Sequence, residues 1–285
     1  MNFVIMDLEW NNSYGYKTRA FVNEIIEIGA VKLDENLDEF SSFSCFVKPQ
    51  IGKKLRSNIK RLTHISNDDV RLGYLFNDAI TEFEKFIGDE DTVILTWGDS
   101  DIRVLIENNK YINSKNEVAF LKKYIDIQKY FQIKKGISLS QQIGLFPAAE
   151  MSGLDPDSFS HHRALDDSLI AAQCLKNVFE DDFFDYVNVC DRKFYEKLDY
   201  KPRAISNIAN PLVDKSVMNC TCQKCDIAAK QTSEWRYSNQ YFRAFFKCPC
   251  CSQKYRVAVR FKKYYDRLDI KKNVTLVHDD EIVKK

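Results

Sequence analysis

Long apolar runs are missing from this chain of 285 residues, and none approaches the length of a membrane span, so a membrane partner is not expected. No secretory signal is visible either, because Met1 leads directly into a strand-like segment. Internal repeats and low-complexity tracts are also lacking. The 45% hydrophobic and 13% aromatic residues are enough for one domain of ordinary size and a second, smaller one.

Nine cysteines are present in a chain without a visible export signal. This combination favours a reducing compartment, and a cytoplasmic location is expected. The cysteines are then expected to bind metal or to be buried, rather than to form disulfides.

Charge is unevenly distributed, although the net charge is only +1. Residues 1–200 contain 24 Lys and Arg against 33 Asp and Glu, and residues 201–285 contain 18 against 8. The two parts therefore carry −9 and +10. An acidic part suits metal ions and a basic part suits a polyanion, so two separate tasks are indicated.

An acidic pair follows an apolar run at the start of the chain, in Phe3–Trp10. Side chains of a strand alternate between its faces, so Asp7 and Glu9 point to the same side. Two adjacent carboxylates at the end of a buried strand repel each other, and a divalent cation such as Mg²⁺ or Mn²⁺ would stabilise them. The alternative is an exposed pair at a frayed strand end.

The order of predicted elements favours a mixed α/β sheet over a doubly wound parallel one. Three strands with short connections come first, which predicts an antiparallel meander. Strands and helices alternate after them. The predicted strands are Phe3–Trp10, Glu24–Leu33, Phe40–Val47 and Thr92–Trp97, and the predicted helices are Tyr74–Ile87, Ser100–Asn108, Leu139–Leu145, His161–Phe179 and Phe183–Tyr200, with a loop over Gly153–Phe159.

Two further acidic groups occur downstream. Asp101 begins a helix that follows a buried strand, so it can face the first pair, although Asp99 competes for this role or caps the helix. In the segment 161–168, Asp167 can bind metal while His162 reaches a water molecule. Alternatively, the histidine is a cap and the acids Asp166 and Asp167 complement the helix dipole.

Together, Asp-Leu-Glu at 7–9, Trp-Gly-Asp-Ser-Asp at 97–101 and His-Arg-Ala-Leu-Asp-Asp at 162–167 resemble the DEDDh 3′→5′ exonucleases, most closely the ERI-like and KapD-like branch. The resemblance extends to about residue 182 and implies an RNase H-like fold. It also implies that four carboxylates bind two Mg²⁺ or Mn²⁺ ions and that His162 is the general base. The carboxylates are Asp7, Glu9, Asp101 and Asp167. His64 departs from the family, which commonly has Gly at that position in a segment near the substrate's 3′ end.

Two Cys-x-x-Cys knuckles, at Cys222/Cys225 and Cys248/Cys251, are separated by 22 residues. The pattern resembles a zinc ribbon and predicts one structural Zn²⁺ bound by four thiolates. Cys220 or Cys250 could replace a neighbouring ligand.

Aromatic residues alternate with Arg and Lys in the strands expected around the second knuckle. Such a pattern can stack single-stranded bases and follow phosphates. Docking of a protein partner by the ribbon is the alternative. The candidate nucleic-acid contacts are Trp235, Arg236, Tyr241, Arg243, Arg256, Arg260, Lys262 and Lys263.

Four segments are therefore expected: an exonuclease domain over 1–182, a helix and linker over 183–213, a basic ribbon over 214–268 and a tail over 269–285. The leading hypothesis is a metal-dependent 3′→5′ exonuclease that acts on nucleic acid with a free 3′ end, with RNA preferred by analogy. The alternatives are a DNA-trimming or proofreading exonuclease and a non-catalytic nucleic-acid-binding adaptor. The complete set of five site residues speaks against the adaptor.

Overall fold

The computed structural model describes residues 1–88, 91–155 and 162–277. Contacts divide the chain into two compact units, with the boundary between Tyr195 and Glu196. The sequence predicts boundaries at 182/183 and 213/214. The helix and linker expected over 183–213 are therefore divided between the two units. Within the described ranges, no helix is both long enough and apolar enough to cross a bilayer.

The first unit contains a six-stranded mixed sheet, as predicted. The order is β3-β2-β1-β4-β5-β6, with β1 antiparallel to β2 but parallel to β4. This arrangement is the RNase H-like sheet, and it confirms the expected fold class. The strands are β1 (Asn2–Gly15), β2 (Ala20–Leu33), β3 (Glu39–Phe46), β4 (Thr92–Thr96), β5 (Lys123–Asp126) and β6 (Asn188–Val189).

Eight α-helices lie within the described residues, and the last contains the boundary between the units. The main core packs one face of the sheet, including Phe3 and Ile5 of β1, against α5, α6 and α7. Asp7 and Glu9 continue this row of side chains. The helices are α1 (Ser57–Thr63), α2 (Asn67–Arg71), α3 (Phe76–Ile87), α4 (Ser100–Asn113), α5 (Ile127–Lys134), α6 (Leu145–Met151), α7 (Ala164–Val178) and α8 (Arg192–Asp199).

Two helix predictions were wrong. The helix expected over Leu139–Leu145 is a series of turns, and α6 begins only at Leu145. The helix expected over Phe183–Tyr200 is interrupted, because a 3-10 helix (Asp181–Tyr186) buries Phe183 and β6 pairs with β5 before α8 begins. His161 and part of the expected loop Gly153–Phe159 lie outside the described residues.

Close packing between β2 and α7 depends on Gly29. A Cβ atom at this position would overlap the backbone of Ala164 and Leu165. The hydroxyl of Ser168 donates to the Gly29 carbonyl over 3.1 Å, so the helix lies directly on the strand. The absence of a side chain here sets the distance of α7 from the sheet.

The second unit is an antiparallel sheet that packs on its own core. This core includes the knuckle cysteines Cys222 and Cys248 and also Cys220. Four of its strands follow the order β12-β11-β10-β8, while β7 pairs with β11 and β9 with β10. The expected tail over 269–285 includes most of β12, which pairs with the whole length of β11. The strands are β7 (Arg203–Ala204), β8 (Lys230–Gln231), β9 (Arg236–Ser238), β10 (Tyr241–Lys247), β11 (Lys254–Lys263) and β12 (Leu268–Val277).

Replacing Gly29 with alanine should destabilise the protein by about 2–3 kcal/mol, because backbone atoms of α7 must move to admit the methyl group. Denaturant unfolding measures this change. Gly144→Ala is the matched control, since the nearest atom to its Cβ would be a Pro147 carbon at an ordinary 3.4 Å. Equal stability losses in the two variants would contradict the packing argument.

Candidate active site

The two acids of β1 stand on the face of the sheet that packs against α7. Asp7 lies opposite Gly29 of β2, and Glu9 lies opposite Glu27. The register shifts between Glu9 and Trp10, so regular pairing is interrupted next to the acids. Such irregularities reorient the side chains next to them. Asp7 and Glu9 are both partly exposed. They line a cleft together with Ile59, Leu62, His162 and Asp167.

Asp101, in the first turn of α4, is buried against β1 and only 4% exposed. Its Oδ1 accepts a hydrogen bond of 3.0 Å from the backbone N–H of Leu8, the residue between the two acids of β1. Asp99 has a different environment, because its carboxylate binds the Arg103 guanidinium at 2.8 Å and does not cap the helix. Geometry therefore distinguishes Asp101 from its competitor.

The third group lies where the chain enters α7. His162 has a left-handed backbone with φ 57°, and the helix starts two residues later. The ligand atoms of Glu9, His162 and Asp167 all lie within 4.8 Å of one another. Phe146 presents a ring roughly perpendicular to His162 at 5.8 Å between centroids. Side chains separated by more than 150 positions thus converge in one cleft.

Burial and mutual repulsion change the acidity of these groups. Burial raises the pKa of Asp7 well above its usual range, and the charges of Asp101 and Asp167 add to the effect. Burial, with the charge of Asp167 next, raises the pKa of Glu9 to about 8. Burial likewise raises the pKa of Asp101 to about 7. Such a set of crowded carboxylates fits divalent cations, whose charge would stabilise the ionised forms.

Glu27 was not identified as a site residue from the sequence. Its buried carboxylate receives the Arg163 guanidinium through Nη2 at 2.7 Å and Nε at 3.2 Å. It also accepts from the backbone N–H of Ala164, the first residue of α7, over 3.2 Å. Glu27 therefore fixes the helix start between His162 and Asp167. The available signal was an acid at an inward position of an apolar strand.

Helix α1 forms the other side of the cleft through Ile59 and Leu62. It ends at His64, whose backbone is left-handed with φ 58°. This conformation favours glycine, the residue that the family resemblance implied for this position. His64 is exposed and is not one of the residues that line the cleft.

The cysteine cluster of the second unit consists of Cys222, Cys225, Cys248 and Cys251, whose sulfur atoms all lie within 4.8 Å of one another. Tetrahedral zinc with Zn–S bonds of about 2.3 Å separates its sulfurs by about 3.8 Å, so the cluster fits a zinc ion. The Tyr255 hydroxyl hydrogen-bonds Cys222 Sγ at 3.1 Å and lowers the pKa of this thiol to about 6.

The eight candidate nucleic-acid contacts fall into two groups. Strand register places six of them on the sheet face opposite the core. Trp235 instead packs on Phe246 of the core, and Lys263 alternates to the core side beside Phe261. The six on the outer face are Arg236, Tyr241, Arg243, Arg256, Arg260 and Lys262.

Comparison with known proteins agrees with this geometry. The exonuclease family RNase_T matches residues 4–175. A probable 3′-5′ exonuclease KapD of Bacillus subtilis strain 168 is 32% identical over 182 residues, which cover 63% of this chain and 85% of the relative. A PolC-type DNA polymerase III of Clostridium perfringens strain 13 is 26% identical, but the match spans only 13% of that much longer protein.

Solved structures show the same relationship. The nuclease domain of 3′hExo, a DEDDh family member bound to rAMP, is 26% identical with a TM-score of 0.54, over 61% of this chain and 90% of that one. Cell-death related nuclease 4 (CRN-4) is 20% identical, which supports the fold alone, with a TM-score of 0.52 over 70% and 72% of the two chains.

The chain therefore belongs to the exonuclease family RNase_T. Within that family it is a DEDDh 3′→5′ exonuclease, as the sequence motifs predicted.

Replacing Glu9 with glutamine should raise the melting temperature of the metal-free protein at about pH 8.5. Because the native pKa of Glu9 is about 8 against an ordinary 4.5, the folded state holds a proton that the unfolded chain releases. Wild-type stability therefore falls as pH rises through this interval, and the variant escapes the loss. Thermal melting without divalent ions, followed from about pH 4 to pH 9, measures the difference.

Glu39→Gln, which removes an exposed acid on β3, is the control for net charge. Added Mg²⁺ should stabilise the wild type more than Glu9→Gln, since the variant lacks one ligand. A variant that melts like the wild type at every pH would contradict the raised pKa of Glu9, which burial and neighbouring charges cause.

Proposed function

We propose that the chain removes nucleotides from nucleic-acid 3′ ends with Asp7, Glu9, Asp101 and Asp167 as ligands of two divalent cations and His162 as general base. The convergence of Glu9, His162 and Asp167 within 4.8 Å carries the proposal. The contact of Asp101 with the backbone between the acids of β1 supports the fourth ligand.

Each residue has a task that follows from its chemistry. The carboxylates must be ionised to bind Mg²⁺ or Mn²⁺, and they would hold these ions where the scissile phosphate has to lie. When bound, the two ions stabilise the attacking water and the leaving 3′-oxygen. His162 accepts the proton of the water, since imidazole exchanges protons near neutral pH. Ile59 and Leu62 offer apolar contacts to the terminal base.

RNA is the proposed substrate in preference to DNA. The 3′hExo domain was solved with rAMP, and a related 3′-exonuclease structure concerns recognition of a histone mRNA stem-loop 3′ end. DNA trimming is the alternative, favoured by the partial match to PolC-type DNA polymerases.

All nine cysteines are free of disulfide bonds in the structure, which supports the proposal that the protein acts in the reducing cytoplasm.

The second unit is proposed to hold one structural Zn²⁺ through Cys222, Cys225, Cys248 and Cys251. The spacing of the sulfurs supports this ligand set. Cys220 lies in the core with Sγ directed at the carbonyl of Thr221 over 3.8 Å, and Cys250 is exposed. Neither belongs to the group of four sulfurs.

The wild-type protein should shorten oligonucleotides from the 3′ end only when Mg²⁺ or Mn²⁺ is added. Matched RNA and DNA oligonucleotides carrying 3′ or 5′ labels test polarity, sugar preference and metal need together. A 5′ label should yield a ladder of shortening products, whereas a 3′ label should yield a labelled mononucleotide at once. Products of internal cleavage, or degradation without a divalent ion, would contradict the proposal.

Asp101→Asn should abolish this activity, and His162→Ala should reduce kcat by about 10²–10⁴ through loss of the general base. Asp99→Asn is the matched control, because Asp99 is two residues away on the same helix start but pairs with Arg103. It should retain most of the wild-type rate. The single-turnover rate of each folded variant is the measurement. If Asp99→Asn were inactive and Asp101→Asn active, Asp99 rather than Asp101 would be the ligand.

Cys251→Ser should lose the bound zinc and unfold the second unit at a lower temperature, because the metal contributes directly to folding. Cys250→Ser, one residue away but exposed, should keep about one zinc per chain. Metal content and thermal melting of both full-length variants are compared. Retention of zinc by Cys251→Ser would refute the ligand set.

A further inference from the structure

The sheet of the second unit has two different faces. Side chains that alternate toward one face, such as Phe242, Tyr255 and Phe261, are buried beneath the segment that contains Ile205, Val213 and Met218. The outer face alternates with them and carries Arg243, Phe245 and Arg256 among others. Phe245 is 46% exposed, so the described residues do not cover this face as they cover the core.

Positive charge is concentrated on the outer face. Among the described residues that pair in these strands, nine Lys and Arg residues point to this face but only one acid, Asp269. The acid forms an ion pair with Arg260 at 3.0 Å, which leaves the face strongly positive. Half of the 18 Lys and Arg residues in 201–285 therefore lie on one surface of the sheet. The cations of the outer face include Arg236, Arg243, Arg256, Arg260, Lys262 and Lys271.

Aromatic rings lie among these cations. Tyr241 is flanked by the guanidinium groups of Arg243 at 5.3 Å and Arg260 at 5.6 Å from its ring centroid. Phe245 stands two positions beyond Arg243 on the same strand face and opposite Arg256 of β11. Rings and cations thus alternate along this face of β10, at about 6.8 Å for every second residue, and Phe245 is the more exposed of the two rings.

We infer that the outer face of this sheet binds single-stranded nucleic acid, with bases stacked on Tyr241 and Phe245 and phosphates held by the surrounding Arg and Lys side chains. The cations complement a polyanion, and the rings offer the flat apolar surface that a base can cover. An acidic polypeptide would satisfy the cations but would leave Phe245 without a stacking partner.

The use of this face to hold the substrate rests on the proposed exonuclease function, whereas binding itself does not. The experiment therefore measures binding in the absence of hydrolysis. Full-length Asp7→Asn protein is titrated with fluorescently labelled single-stranded RNA and DNA without added divalent ions or chelator, so that any zinc is retained. Absence of degradation by the wild type would refute the function and leave the binding result standing.

The aromatic arm compares Tyr241→Ala and Phe245→Ala with the parent. Each change should weaken oligonucleotide binding about fivefold or more through loss of base stacking. Affinity for inorganic polyphosphate, which has no bases, should change less than twofold. Binding to RNA and DNA in parallel identifies the preferred sugar, and binding to either supports the inference.

The charge arm measures affinity against salt concentration. Removal of two phosphate contacts in Arg256→Ala/Lys271→Ala should lower the slope of log affinity against log salt by about 1.4. Lys201→Ala/Lys215→Ala is the charge-matched control, because Lys215 belongs to a 3-10 helix that packs on the core side. Its slope should equal that of the parent.

Three results would overturn the inference. One is oligonucleotide affinity unchanged in both aromatic variants, and another is an equal loss of slope in the control pair. The third is tight binding of polyglutamate to the parent that Arg256→Ala/Lys271→Ala weakens, while the same variant binds oligonucleotides as tightly as the parent does. Zinc content and thermal melting of every variant ensure that the compared proteins are folded.

Discussion

Repulsion between carboxylates is the constraint around which the first unit is built. Asp7, Glu9 and Asp101 lie near one another in the first unit, where burial and neighbouring charge raise the pKa of each. No isolated segment would keep these side chains together, because separation and hydration would lower their free energy. The sheet and two helix starts therefore have to supply the rigidity that the acids themselves oppose.

The rigidity comes from hydrogen bonds and close packing around the acids. A backbone hydrogen bond ties Asp101 to Leu8, so the start of α4 follows the position of β1. On the other side, Glu27 binds both Arg163 and the first amide of α7. Gly29 admits the helix backbone to the sheet surface. A cluster of this kind is unfavourable for the metal-free chain, and if the carboxylates bind cations as proposed, they are already assembled to do so.

The sequence was most informative where a regular period meets an unusual residue. The period of two placed Asp7 and Glu9 on one face, and three ordered motifs identified the family and its sheet. The choice of Asp101 over Asp99 depends on which side chain turns toward β1, and helix-start residues two positions apart give no such direction. Glu27 was missed because its partner lies 136 positions away. The strand β12 was missed because consecutive polar residues Lys271–Asn273 interrupt its alternation.

The opposite charges of the two parts have a physical consequence for a polyanionic substrate. Residues 1–200 carry −9, so without cations the cleft repels the phosphates that it must approach. Divalent ions offset this repulsion locally, because they place positive charge among the acids. The basic sheet face proposed in residues 201–285 carries charge of the opposite sign, which would attract the same polymer. Attraction by a separate basic face means that further Lys or Arg side chains are not needed between the acids, where they would compete with bound cations.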